Sequence, residues 1–114
     1  AEGDLIHHDY IGNQTAETIK AMVEKNDKLV EARQSEGRHV LILADFSQLG
    51  KHNQGAREAL RAYLGTRFFE RIAAFGIPSG LEVLARLLLN ITGKTEQVQL
   101  FDTEDEAREW LDQF

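Results

Sequence analysis

The chain has 114 residues, is 42% hydrophobic and carries a formal charge of -6. That suits one domain, residues 1–114, with one core, and it argues against a nucleic-acid partner, which would want a basic face to displace phosphate counterions. No cysteine is present, so disulfides, thiolate zinc sites and cysteine nucleophiles are excluded, and segment 81–91, broken by Glu82 and Arg86, falls short of the about 20 residues that span a bilayer.

In chain order, Leu5-Ile6-His7-His8-Asp9-Tyr10-Ile11 is a first candidate strand, and a start at Ala1 so close before it reads as the edge of a piece cut from a longer protein. Asn13-Gln14-Thr15 supplies turn and cap chemistry, with Thr15 as N-cap and Glu17 near the positive helix end. A helix follows with Ile19, Met22, Val23, Leu29 and Val30 on its apolar face, stopped by Gly37. The apolar run 40–44, ending in Asp45, reads as a strand covered on both faces. Residues 48–52 form a loop, and Asn53 caps a second helix that buries Ala56, Ala59, Leu60, Tyr63 and Leu64 before Gly65 ends it. Segment 70–75 is a third strand, and Ser79 with Glu82 has the spacing of a capping box for a third helix. Its leucines point nearly all round, which requires burial on more than one side. Gly93 closes it. Val98-Gln99-Leu100-Phe101 is a fourth strand, and Thr103 with Glu106 opens a final helix that buries Ala107, Trp110 and Leu111, with Phe114 as a further candidate.

Four successive βα units imply an α/β fold with right-handed crossovers and a mainly parallel sheet. In such a sheet the strand C-terminal edge, beside the helix N-termini, is where ligands and partners bind. It collects Asn13 and Gln14, then Asp45 and Ser47, then Gly76, Ser79 and Gly80, then Asp102 and Thr103. Asn13, Asp45, Ser47, Asn53, Ser79 and Asp102 are the candidate binding residues, although capping and turn chemistry alone accounts for most of them.

Enzyme constellations are weak. His7 and His8 point to opposite faces of a strand and cannot chelate one metal, while His39 and His52 bracket the second strand and stand alone. No HExxH, GxSxG or CxxC occurs, and Gly76-Ile77-Pro78-Ser79-Gly80 lacks the lysine and hydroxyl of a phosphate loop. Neither a cofactor nor a metal is expected. Asp45 with His52 is the one pairing an enzyme could use. Arg57 and Arg61 share a helix face, followed by Arg67 and Arg71; the ordinary fate of such a stripe is a solvated face paired with Glu58 or Glu70.

The segment Leu41-Ile42-Leu43-Ala44-Asp45-Phe46-Ser47-Gln48-Leu49, the strand Arg71-Ile72-Ala73-Ala74-Phe75-Gly76 and the ending Phe101-Asp102-Thr103-Glu104-Asp105-Glu106-Ala107-Arg108-Glu109-Trp110-Leu111 together resemble the SpoIIAA-like branch of STAS domains over nearly the whole chain. That resemblance implies a βα superhelix shared with lipid-binding CRAL-TRIO domains. It also implies a non-catalytic regulatory module that binds a partner protein, often under control of a phosphorylated serine at the start of the second helix. The matching positions here are His52-Asn53-Gln54-Gly55, where amides replace the hydroxyls, so the switch in its usual form is absent.

The expected protein is therefore a cytoplasmic, non-enzymatic domain that acts through a protein partner or self-association, using the second and third helices and the loop 47–53. The alternative is a sensor for a small lipid-like or anionic ligand, held at the strand edge or under the third helix. An apolar pocket lined by Phe46, Phe75 and leucines would favour it.

Overall fold

A computed structural model describes residues 5–114, so the start at Ala1 lies outside the described residues. The elements, in chain order, are β1 (Leu5–Asp9), β2 (Gly12–Gln14), α1 (Ala16–Ser35), β3 (Leu41–Asp45), β4 (Leu49–His52) and α2 (Gln54–Thr66). They continue with β5 (Arg71–Phe75), a 3-10 turn (Ser79–Leu81), α3 (Glu82–Thr92), β6 (Val98–Phe101) and α4 (Glu104–Asp112).

The apolar run around β3 needs cover on both faces, and the sheet supplies it by placing β3 in the interior. The strand order is β1-β3-β5-β6, with every pair parallel. Strand alternation then divides the core. Ile42 and Ala44 face one cluster, with Ile6, Ile19, Ala56, Tyr63 and Leu89, while Leu41 and Leu43 face the other, with Phe75, Ala107 and Leu111. A strand order that advances steadily with right-handed crossovers puts α1, α2 and α3 on the first face. Only α4, which follows the last strand, packs on the second, against β3, β5 and β6.

Local signals placed the caps well. Thr15 accepts from the backbone N–H of Thr18, Asn53 from Ala56 and Thr103 from Glu106, and Gly37 and Gly93 follow their helices at positive φ. Several expectations need correction. Residues 12–14 and 49–52 are not turn and loop; they pair as the parallel strands β2 and β4, which continue β1 and β3 beyond the main sheet. Gly65 does not end α2, which runs to Thr66, because burial of Tyr63 and Leu64 on that turn outweighs the roughly 1 kcal/mol helix cost of glycine. Ser79 does not cap α3. Pro78 sets up a tight turn closed by the Leu81 N–H on the Pro78 carbonyl (2.8 Å), so the α-helix begins at Glu82 and Ser79 lies inside the turn. Leu29 is exposed, and its expected place on the buried face of α1 belongs to Asn26.

Candidate functional site

The strand edge holds most of the predicted residues, and the structure gives Asn13, Asp45, Ser47 and Asn53 a local partner. Asp45 Oδ1 accepts from the Ser47 N–H (2.8 Å) and hydroxyl (2.6 Å). Gly76 closes over that turn at φ 73, so tightly that a Cβ would sit 2.9 Å from the Ser47 backbone nitrogen. Asn13 Oδ1 accepts from the Lys51 N–H (2.9 Å) and joins β2 to β4, and Asn53 Oδ1 accepts from the Ala56 N–H (2.9 Å). Ser79 and Asp102 are exposed. Asp45 and Ser47 therefore come together, but among the described residues no hydrogen bond joins Asn13, Asn53, Ser79 or Asp102 to them. His52 is held by Arg57 and Asp45 by Ser47, so the pairing an enzyme would use is engaged elsewhere on both sides.

The other isolated groups also find partners. His39 Nδ1 lies 3.0 Å from Glu70 Oε2, which corrects the reading of it as alone. The arginine stripe does not form. Arg67 pairs with Asp27 of α1 (3.0 Å), Arg71 lies 4.5 Å from the Trp110 ring centroid on the α4 face, and Arg57 turns back to His52. His7 is exposed and His8 buried, on opposite faces as strand geometry requires. His8 Nε2 lies 2.8 Å from Asn26 Oδ1, and burial is the main cause that brings its pKa down to about 4, against the opposing effect of Asn26. Neutral His8 thus donates to Asn26. Burial likewise raises the hydroxyl pKa of Tyr63, with Asp27 adding to the rise, and of Tyr10.

What the residue types did not reveal is a cavity. Between α2, α3 and the end of the sheet lies a space of about 100 Å³ bounded by Tyr10, Phe46, Leu60, Ile77, Leu84 and Leu88. A second space of about 60 Å³ adjoins it toward Tyr63 and Val98 and shares Tyr10, Phe46, Leu60, Ile77, Ala85 and Leu88. Tyr10 and Phe46 are stacked on one wall, with ring centroids 4.3 Å apart and an interplanar angle of 7°. Phe75 is not part of this lining; strand alternation turns it toward α4. Gln14, His52 and Arg57 also border the space, but its surface is almost wholly carbon, so their polar groups do not face into it. The space is an apolar cleft, partly open to the surface, beneath α3.

On its outer side α3 is also apolar. Val83, Leu87 and Ile91, one turn apart on one stripe, are 80%, 52% and 56% exposed. Leu84 and Leu88 are half-buried over the cavity and Leu89 is buried, so the leucines around α3 divide between an inner and an outer face.

The structure is a parallel α/β domain with helices α1 to α3 on one face and an apolar space under α3. The chain belongs to the SpoIIAA-like family, whose sequence profile matches residues 5–112. Membership supports a regulatory, non-enzymatic domain in general, and no helix among the described residues is long and apolar enough to cross a membrane. Comparison with curated proteins and with solved structures found no match.

Proposed function

We propose that the chain is a cytoplasmic regulatory domain that works by protein–protein contact through the outer face of α3, without a phosphoserine switch. The stripe Val83, Leu87 and Ile91 carries this reading, because three large apolar side chains one turn apart gain from cover that their own domain does not give. Asn53 and Gln54, at the start of α2 where the family's phosphorylated hydroxyl would fall, support the absence of the switch. A second copy of the chain offers the same apolar stripe to itself about a two-fold axis and is the occupant to test first. Sedimentation of the wild-type chain and of Leu87→Glu across a concentration series tests it. The wild type is expected to dimerise and the variant to stay monomeric with an unchanged melting temperature. A wild-type chain that remains monomeric, with Leu87→Glu no weaker in binding a purified partner, would sink the docking reading.

The cavity favours a second reading, in which a small apolar ligand lies under α3. Its support is the continuous lining shared by the two spaces. The two readings are compatible, since α3 forms the roof of the cavity and also carries the exposed stripe.

A further inference from the structure

The strand order β1-β3-β5-β6 leaves one side of β6 without a neighbouring strand. Which backbone groups lie on that side follows from the register. The Ile72 N–H donates to the Gln97 carbonyl (2.8 Å) and Ile72 pairs with Val98, so Gln97, Gln99 and Phe101 turn their backbone polar groups toward β5. Those of Val98 and Leu100 point away. The Val98 N–H is taken by the Lys94 carbonyl (3.1 Å), whereas the Val98 carbonyl and both backbone groups of Leu100 have no partner among the described residues. The opposite edge strand is better guarded: β1 exposes His7 and Asp9, and Arg33 Nη2 donates to its Leu5 carbonyl (3.3 Å). β6 carries no charge, proline or bulge.

Beside this edge runs a groove of about 330 Å³, with a predominantly polar surface, between Arg86, Leu89 and Asn90 of α3 and Val98, Gln99 and Leu100 of β6. Val98 and Leu100 turn their side chains to the face that α3 covers. Arg86 is exposed, has neither ion pair nor hydrogen bond among the described residues, and is the one charged residue that borders the groove. We infer that the edge of β6 takes an extended segment of a partner protein as a further strand, with an acidic side chain on Arg86. Side chains two positions to either side of that acid fall on the same face, toward Leu89, Val98 and Leu100, and are apolar. A second copy of the chain fits less well. Two-fold pairing of β6 with itself sets both α3 helices on one face of the joined sheet and turns Arg86 toward its own copy, like charge to like. This surface is separate from the α3 stripe, so its failure leaves the Leu87→Glu test standing.

Solvent exchange of backbone amides, followed by NMR on the whole chain in about 0.15 M salt, tests the assignment. The probes are the blocked heptapeptide Thr-Val-Thr-Glu-Thr-Val-Thr and its counterpart with lysine in place of glutamate. At about ten times its Kd the glutamate heptapeptide should slow exchange of the Leu100 amide about tenfold. The lysine heptapeptide should bind about fivefold more weakly, the scale of an exposed ion pair, and Arg86→Glu should reverse that order. Binding that leaves Leu100 exchange unchanged, or no binding of either heptapeptide at millimolar concentration, would overturn the inference. Equal binding of the two heptapeptides would remove the acidic partner residue. Leu100 exchange that slows as the chain itself is concentrated, without peptide, would give the edge to a second copy and also overturn the inference.

Discussion

Replacing Ala85 with leucine separates an unfilled cavity from a packed core. Ala85 lies on α3, half-buried, and borders both spaces under the helix. Leucine adds three carbons. At about 0.8 kcal/mol per buried CH₂ their transfer is worth at most about 2.4 kcal/mol. Fixing the leucine rotamer costs about 0.5 to 1 kcal/mol, which leaves a gain of about 1.5 kcal/mol. For 114 residues at roughly 2.1 cal/mol/K each, the unfolding entropy is about 240 cal/mol/K, so Tm should rise by roughly 6 °C. Calorimetry and urea unfolding measure the stability, and octanol titration measures the space that remains. Stability should rise while octanol binding falls, because both draw on the same volume. A loss of about 1 to 3 kcal/mol, the usual cost of overpacking, with octanol binding unchanged, would refute the reasoning.

Acid should destabilise the protein through His8. In the unfolded chain this histidine takes up its proton near pH 6.5, whereas in the folded state burial delays that to about 4. The unfolded state therefore binds more protons between these values. The stability contributed by neutral His8 is complete above pH 6.5 and is lost as pH falls toward 4, by roughly 3 kcal/mol. His8→Gln should flatten this slope in urea unfolding at pH 4.5 and 7; an unchanged slope would assign the acid sensitivity elsewhere. At the strand edge, Gly76→Ala should cost about 2 kcal/mol or more, since it combines positive φ with contact on the Ser47 backbone. Gly93→Ala, also at positive φ but with nothing within 4 Å, is the control, and equal losses for the two would remove the role given to Ser47.

Much of the fold was legible because its signals are local. The run around β3 showed two-sided burial, and the repeated alternation of strand and helix implied a parallel sheet. The site was less legible. The six edge residues were visible as polar groups after strands, but the same residue types serve as caps and turn acids, and sequence cannot separate those uses. Asn26 could have been found: Ile19, Val23, Asn26 and Val30 follow one helical stripe, which puts the amide among buried positions. The division of the α3 leucines could not, because a helix apolar on all sides does not say which side its own sheet covers.

The sequence by itself determined the order of elements and the caps at Thr15, Asn53 and Thr103, since each cap is a hydrogen bond to a residue three positions away. Tertiary structure alone decided the pairing of β2 with β4, the burial of His8 on Asn26, the loss of the arginine stripe and the space under α3. Those depend on groups distant in the chain, such as Asn13 and Lys51 at a separation of 38 and His8 and Asn26 at 18. Hydrogen bonds that close within one helical turn follow from neighbouring residues, whereas a cavity depends on how well distant surfaces fit when the chain closes on itself.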